Sequence, residues 1–225
     1  MLKPTKTTFY YNWLIQKILW KELLIVAKNH ARGRLIDIGC GVMPYKNLFN
    51  KFVSRQIGLD LYNTIHIKQY IDLFGSAYSI PIKDNTFDTA VLTQVLEHLE
   101  EPDRAISEVF RILKSPGIAI LIAPMYWHVH EEPRDFYRFT KYGLKYIFEK
   151  NGFMVLELKP LHGFVVTFGQ ELVYFTLKFN KFIIIRPLVY LICFFIQIIS
   201  YFLNNFDKSY DFAGHHIVVA KKKII

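Results

Sequence analysis

The chain has 225 residues, which suits one α/β domain with an appendage and leaves too little for two full domains. Its net charge of +9 favours anionic partners such as phosphorylated substrates, acidic lipid headgroups or nucleic acid, without choosing among them. Its two cysteines, Cys40 and Cys193, have no metal-ligand spacing and predict neither a disulfide framework nor a zinc site, while 52% hydrophobic residues is a high share for a freely soluble enzyme.

The N-terminal segment, residues 1–30, is predicted to be helical. Residues 1–6 have no apolar core and no small-residue cleavage site, which predicts no secretory signal and a cytoplasmic setting. Apolar residues between positions 10 and 29 recur at helical spacing. We expect this helix to lead into a sheet and to pack beside a ligand cleft.

A short apolar run, residues 34–39, leads to the turn Gly39-Cys40-Gly41, and a helix-like segment follows the turn. The two glycines permit positive φ and leave no side chain above the turn, so a ligand can rest on the main chain. Pro44 stands where the dinucleotide fingerprint has its third glycine, and it removes an N–H that a pyrophosphate would use. The turn therefore favours a nucleoside ligand with little phosphate and disfavours a nicotinamide oxidoreductase.

An acidic residue, Asp60, ends the next strand-like run, about 20 residues further on, where a carboxylate accepts hydrogen bonds from ribose hydroxyls. With Asp37 before the glycine turn, these residues resemble the class I S-adenosylmethionine-dependent methyltransferases. In that family the first strand end cradles the methionine part of the cofactor. The resemblance implies S-adenosylmethionine as cofactor, bound by a set of residues around the turn and the next three strand ends. The set is Asp37, Gly39, Cys40, Gly41, Asp60, Leu61, Ser76, Ala77 and Gln94.

The middle of the chain continues the same pattern. Residues 67–73 are predicted as the third strand, and Ser76 and Ala77 follow it where the family borders the adenine. Residues 89–93 form an apolar run typical of a central strand buried on both faces. The Leu-Glu-His sequence after it resembles the family's fourth-strand motif, although its acid and histidine are also compatible with helix capping and a surface position.

The resemblance implies a Rossmann-like α/β fold: a doubly wound, seven-stranded mixed sheet whose last strand is antiparallel. Residues 1–225 are expected to be a single domain, with the sixth strand over 153–159 and the last over 216–221. Between these strands the family has a tight hairpin. This chain instead has an apolar, helical insertion, residues 161–213.

The loop over residues 126–140 leaves the carboxyl end of a strand and should stand over the cleft, where loops carry specificity. Its His-x-x-Pro-x-Asp-Phe-x-Arg-x-Thr sequence resembles methyltransferases encoded among surface-glycan and lipopolysaccharide biosynthesis enzymes. A hydroxyl acceptor must lose a proton, a task suited to histidine. The catalytic candidates are His130, then His98, with Asp135 orienting the imidazole, and the acceptor-binding candidates are Arg134, Arg138 and Tyr126. No third ligand with convincing spacing accompanies the loop histidines, so no metal is predicted.

Within the insertion, residues 187–203 are almost wholly apolar and approach the length of a membrane span. A single crossing would leave the last strand on the wrong side of the membrane. Polar residues at helical spacing form one narrow stripe: Tyr190, Cys193, Gln197, Ser200 and Asn204. The pattern favours peripheral membrane contact through residues 183–206, with a homodimer interface or a lid over the protein's own body as the alternatives.

The sequence thus predicts an S-adenosylmethionine-dependent methyltransferase that O-methylates a glycan or lipid-linked amphiphile at the cytoplasmic membrane face. The alternative is a catalytically silent relative that binds the cofactor or a partner in a membrane-associated complex. Nucleic acid is a disfavoured substrate, because the Asn/Asp-Pro-Pro-Tyr/Phe motif used on exocyclic amines is missing after the fourth strand.

Overall fold

The computed structural model describes residues 11–208 and 210–223, so the first ten residues, including the predicted helix start at residue 10, lie outside it. Helices and strands alternate through most of the chain. The helices are α1 Trp13–His30, α2 Lys46–Phe49, α3 Pro102–Ile112, α4 Lys141–Lys150, α5 Phe164–Leu177 and α6 Arg186–Leu203. The strands are β1 Arg34–Ile38, β2 Arg55–Asp60, β3 Leu73–Phe74, β4 Phe87–Thr93, β5 Leu113–Pro124, β6 Phe153–Pro160 and β7 His215–Lys222.

The strands form one seven-stranded sheet in the order β3-β2-β1-β4-β5-β7-β6. Strands β1 to β5 pair in parallel, whereas β7 runs antiparallel to both β5 and β6. The predicted fold class is confirmed, including the antiparallel last strand after a helical insertion. The strand order reverses direction between β1 and β4, and open α/β sheets bind ligands outside the carboxyl ends of the strands at such a switch point.

The middle of strand β4, residues 90–92, is continuously apolar. Ala90 and Leu92 pack into the core on the side of α3, and Val91 packs into the core on the side of α1. Successive side chains of a strand point to opposite faces, so a strand covered on both faces favours apolar residues at consecutive positions.

The third strand differs from the prediction. The third strand is only β3, and residues Lys68–Tyr70 form a 3₁₀ turn instead of its predicted first half. The Asp72 carboxylate accepts the Gly58 N–H at 2.8 Å, and the Asp72 N–H donates to the Gly58 carbonyl at 2.9 Å, so a side chain supplies one of the two hydrogen bonds that join the strands here. Strand β5 also begins five residues earlier than its apolar core, with a register shift opposite Phe87 and Thr89.

The insertion is a hairpin of α5 and α6 packed against α1, and the polar stripe of α6 faces the protein. Cys193, Gln197 and Ser200 are buried. Gln197 Oε1 accepts the Leu14 N–H at 3.2 Å, and its Nε2 donates to the Tyr11 carbonyl at 3.2 Å and to Gln170 Oε1 at 3.0 Å. The stripe therefore supplies a hydrogen-bond acceptor to the first turn of α1, where the N–H groups have no partner within the helix.

The opposite face of α6 is apolar and exposed. Its outward side chains include Leu188, Leu191, Ile192, Phe194, Phe195, Ile199, Phe202 and Leu203. Within the described residues, Ile183–Leu203 is one helical stretch with the length and composition of a membrane span, yet only 22% of its most apolar window is buried in the protein. Unlike a core helix, α6 thus buries its polar residues and exposes its apolar ones.

Candidate cofactor and acceptor site

The turn between β1 and α2 is built around two glycines with positive φ, +67° at Gly39 and +49° at Gly41. A Cβ added to Gly39 would lie 2.6 Å from the Val95 side chain, so the turn requires glycine for space as well as for conformation. The Gly41 N–H donates to Asp60 Oδ2 at 2.8 Å, and the Leu61 N–H donates to Oδ1 at 2.7 Å. The structure thus joins the glycine turn directly to the acid that ends β2.

Asp37 lies buried under this turn, at the end of β1. Burial, and secondarily the charge of Asp60, raises the pKa of Asp37 to about 7. Its Oδ1 has no hydrogen-bond partner within the described residues. Buried polar atoms are normally hydrogen-bonded, so an unpartnered carboxylate oxygen here fits a ligand that supplies a donor or a positive charge.

A cavity of about 280 Å³ opens where β1, β2 and β4 end. Six predicted cofactor residues line it: Gly39, Asp60, Leu61, Ser76, Ala77 and Gln94. The other three lie in the wall behind the lining: Asp37 is below the turn, Gly41 is covered by the His66 ring, and the Cys40 thiol points toward the Tyr70 carbonyl. Burial raises the pKa of the Cys40 thiol, which makes it a packing group.

The predicted catalytic residues come together at one end of the cavity. His98 lines the cavity, and the centroids of the His98 and His130 rings are 4.8 Å apart. The Asp135 carboxylate accepts the backbone N–H of His130 at 2.9 Å, and the same carboxylate lies 3.4 Å from the ring nitrogen Nδ1 of His130. Burial, then the neighbouring His98, lowers the pKa of His130.

The three predicted acceptor-binding residues separate in the structure. Arg134 lines the cavity, 3.6 Å from Glu100. Arg138 donates to both oxygens of Asp135 at 2.7 Å, which holds the pKa of that carboxyl far below its usual range. Tyr126 packs on Phe168 and Phe212, toward the insertion. Arg138 is therefore engaged in positioning Asp135, and Tyr126 in joining the loop to the insertion.

The burial of Glu97 was not predicted from the sequence. It is fully buried, and burial raises its pKa to about 8. Neither of its carboxylate oxygens has a hydrogen-bond partner among the residues that the structure describes. The Leu-Glu-His motif after β4 was a signal for it, but capping and surface readings explained that motif equally well. Glu131 and His66, which also line the cavity, had no recognisable signal.

The parallel sheet, the glycine turn bonded to Asp60 and the cavity at the switch point form a Rossmann-like fold similar to that of class I S-adenosylmethionine-dependent methyltransferases. Residues 36–121 match the methyltransferase domain family. S-adenosylmethionine is the cofactor of this class.

Curated relatives agree with this class. The probable S-adenosylmethionine-dependent methyltransferase of Mycolicibacterium smegmatis is 30% identical over 43% of this chain and 40% of its own length. The demethylmenaquinone methyltransferase of Symbiobacterium thermophilum is 27% identical over 52% of this chain and 51% of its own length. The alignments span about half the length of the curated relatives that the chain matches.

Among solved structures, that of the [4+2]-cyclase SpnF superposes with a TM-score of 0.63 at 22% identity, covering 93% of this chain and 83% of SpnF. At this identity the likeness concerns the fold.

Proposed function

We propose that this protein transfers a methyl group from S-adenosylmethionine to a hydroxyl of a glycan or lipid-linked amphiphile at the cytoplasmic face of a membrane. The observation that carries the proposal is the glycine turn held against Asp60 at the mouth of the cavity. Each Asp60 oxygen already accepts one backbone N–H, and each has lone-pair capacity left for a ribose hydroxyl.

Asp37 completes the cofactor half of the site. Its unpartnered Oδ1 beneath the turn suits the ammonium group of the methionine part, which would favour the ionised carboxyl. Ser76 and Ala77 also line the cavity, and the family resemblance implies that they border the adenine. The cofactor's sulfonium would then sit between them, toward Gln94 and His98.

The reaction is an in-line displacement: the acceptor oxygen forms a bond to the methyl carbon as the bond from that carbon to sulfur breaks. Holding the three atoms in line can contribute about 7–11 kcal/mol. The acceptor proton must leave, and His130 is the base in this proposal because its lowered pKa keeps the ring neutral near pH 7. Asp135, held by Arg138, orients the ring, and Arg134 binds an anionic group of the acceptor.

The membrane part of the proposal rests on α6. Its apolar face is exposed, and three cationic residues lie where α5 connects to α6: Lys178, Lys181 and Arg186. Helices of this kind lie in the headgroup region, with apolar side chains in the acyl boundary and cations beside anionic lipids. An amphiphilic acceptor would reach the cavity from that surface.

Two measurements test the proposal. Calorimetry of the full chain with S-adenosylhomocysteine should show one site per chain, and incubation with tritiated S-adenosylmethionine and a membrane extract should label the lipid or glycan fraction. Binding without labelling would support the silent relative. Labelling of nucleic acid instead of lipid would overturn the choice of acceptor.

A further inference from the structure

Glu97, His98 and His130 converge at the acceptor end of the cavity. One nitrogen or oxygen atom of each lies within 4.8 Å of the corresponding atoms of the other two. The first two residues follow β4, and the third belongs to the loop after β5. The cluster therefore exists only once the two neighbouring strands have paired.

In both imidazoles Nδ1 faces a hydrogen-bond acceptor, so the lone pair on Nε2 is available to a metal ion. His98 Nδ1 lies 2.6 Å from the Arg134 carbonyl oxygen, an acceptor, so Nδ1 carries the proton. His130 Nδ1 lies 3.3 Å from the His128 carbonyl oxygen and 3.4 Å from Asp135 Oδ2. A histidine that donates one ring N–H to a carbonyl or carboxylate and offers its other nitrogen is the arrangement in which proteins bind metal ions.

The Glu97 carboxylate is the independent observation. It is fully buried, its two oxygens have no hydrogen-bond partner within the described parts of the chain, and Oε1 lies 3.9 Å from His98 Nε2. A buried carboxylate is costly unless it is paired or coordinates a metal. A cation between this oxygen and the two imidazoles would compensate that cost.

We infer that Glu97, His98 and His130 bind a divalent first-row transition-metal ion. Two imidazoles with one carboxylate suit manganese, iron, cobalt, nickel or zinc better than the all-oxygen preference of magnesium or calcium. Donor atoms of a tetrahedral site with bonds of about 2.1 Å are about 3.4 Å apart, so side-chain movements of about 1 Å close the cluster. Glu131, with Oε2 3.8 Å from His98 Nε2, can supply a fourth ligand.

The catalytic use of the ion rests on the proposed function. An acceptor hydroxyl bound to the ion loses its proton to solvent at a lower pH than a free alcohol, because the metal withdraws charge from the oxygen. The oxygen–methyl bond then forms as the methyl–sulfur bond breaks, which leaves S-adenosylhomocysteine. In this refinement the two imidazoles bind the ion through Nε2, and the ion takes over the activating role first assigned to His130.

The test is calorimetric titration of the full chain, stripped with a chelator, using Mn²⁺ and then Zn²⁺. Glu97→Gln keeps the side-chain shape, and His130→Ala removes one imidazole, so each should weaken ion binding at least tenfold. The matched control is His128→Ala in the same loop, whose side chain is outside the cluster and pairs with Glu171. Circular dichroism melting of each variant separates lost ion binding from lost folding.

Binding of one ion by the wild type and by His128→Ala, with loss in the other two variants, supports the site. Failure of the wild type to bind either ion, or equal affinity in folded His130→Ala, overturns it. Titration with S-adenosylhomocysteine on the same samples keeps the two proposals apart. Cofactor binding without ion binding refutes the metal site alone, whereas ion binding without cofactor binding refutes the methyltransferase proposal.

Discussion

The cavity edge and the helical insertion use buried polar residues in opposite ways. At the cavity, Asp37 and Glu97 are buried with unpartnered oxygens, beside an opening that a ligand can enter. In the insertion, Gln170 and Gln197 are buried and bonded to each other and to the start of α1. Beside the cavity, unpartnered oxygens can accept a donor from a ligand, whereas the bonded glutamines of the insertion fix how two elements pack.

The apolar residues show the complementary contrast. Around the sheet they are buried in two cores, whereas on α6 they face outward. Because the polar stripe fixes the rotation of the helix, its apolar face stays exposed, and the proposed function assigns that face to the membrane surface. We therefore expect cofactor binding and surface binding to be separable by mutation.

The largest effect is expected for the outward face of α6 and the turn before it. The triple variant Ile184→Ser/Phe195→Ser/Phe202→Ser should bind vesicles of phosphatidylcholine and phosphatidylglycerol about 100-fold more weakly, because about 3 kcal/mol of apolar burial is lost. Vesicle sedimentation measures it. Tyr142→Ser on α4, also strongly exposed, is the control and should bind like the wild type. Unchanged vesicle binding with loss of a dimer in light scattering would assign the face to a second copy.

The next effect concerns the cofactor. Asp60→Ala should weaken S-adenosylhomocysteine binding about 30-fold, since hydrogen bonds to a charged group contribute about 2 kcal/mol. Calorimetry measures it, and vesicle binding of the variant should stay at the wild-type level. The control is Asp84→Ala, an exposed carboxylate paired with Arg111 outside the cavity. An affinity within threefold of the wild type would contradict the assignment of Asp60.

The buried stripe should matter for stability alone. Gln197→Leu removes the acceptor of the Leu14 N–H and the donor to Gln170 Oε1, and leaves both buried groups unpaired. We expect the free energy of unfolding to fall by about 2 kcal/mol in urea titration. Gln69→Leu at an exposed position is the matched control. A stability within 0.5 kcal/mol of the wild type, on the order of a surface substitution, would show that the network contributes little.

The smallest effect is a pH dependence at the base of the insertion. His162 and His215 are buried with Nε2 and Nδ1 3.0 Å apart, and His162 also faces Thr167, His216 and Asp207. Burial lowers the pKa of His162 from 6.5 to about 4, and the pKa of His215 is lowered well below 6.5. Below pH 6.5 these histidines are protonated in the unfolded chain but stay neutral in the folded one. The free energy of unfolding therefore falls with pH until about pH 4, where His162 is protonated in the folded chain as well.

Urea titrations at pH 7.5 and 5.5 should differ by about 1 kcal/mol from His162 alone. His162→Gln should make the difference smaller. A stability that rises on acidification would contradict the neutral, buried state of this pair.

The sequence was a good guide where function and fold depend on local backbone chemistry. The glycine turn and the acid after β2 follow from residue types at short spacing, whereas the antiparallel last strand was implied by the family resemblance. The sequence was misleading at β3, where the Asp72 carboxylate, and not a backbone carbonyl, accepts the Gly58 N–H.

Tertiary structure alone decided three things: that Glu97 is buried without a partner, that His130 meets His98, and that the polar stripe of α6 turns inward. Each depends on residues far apart in the chain. Periodicity shows that a helix has two faces, but the first turn of α1, which needs hydrogen-bond partners, determines which face is buried.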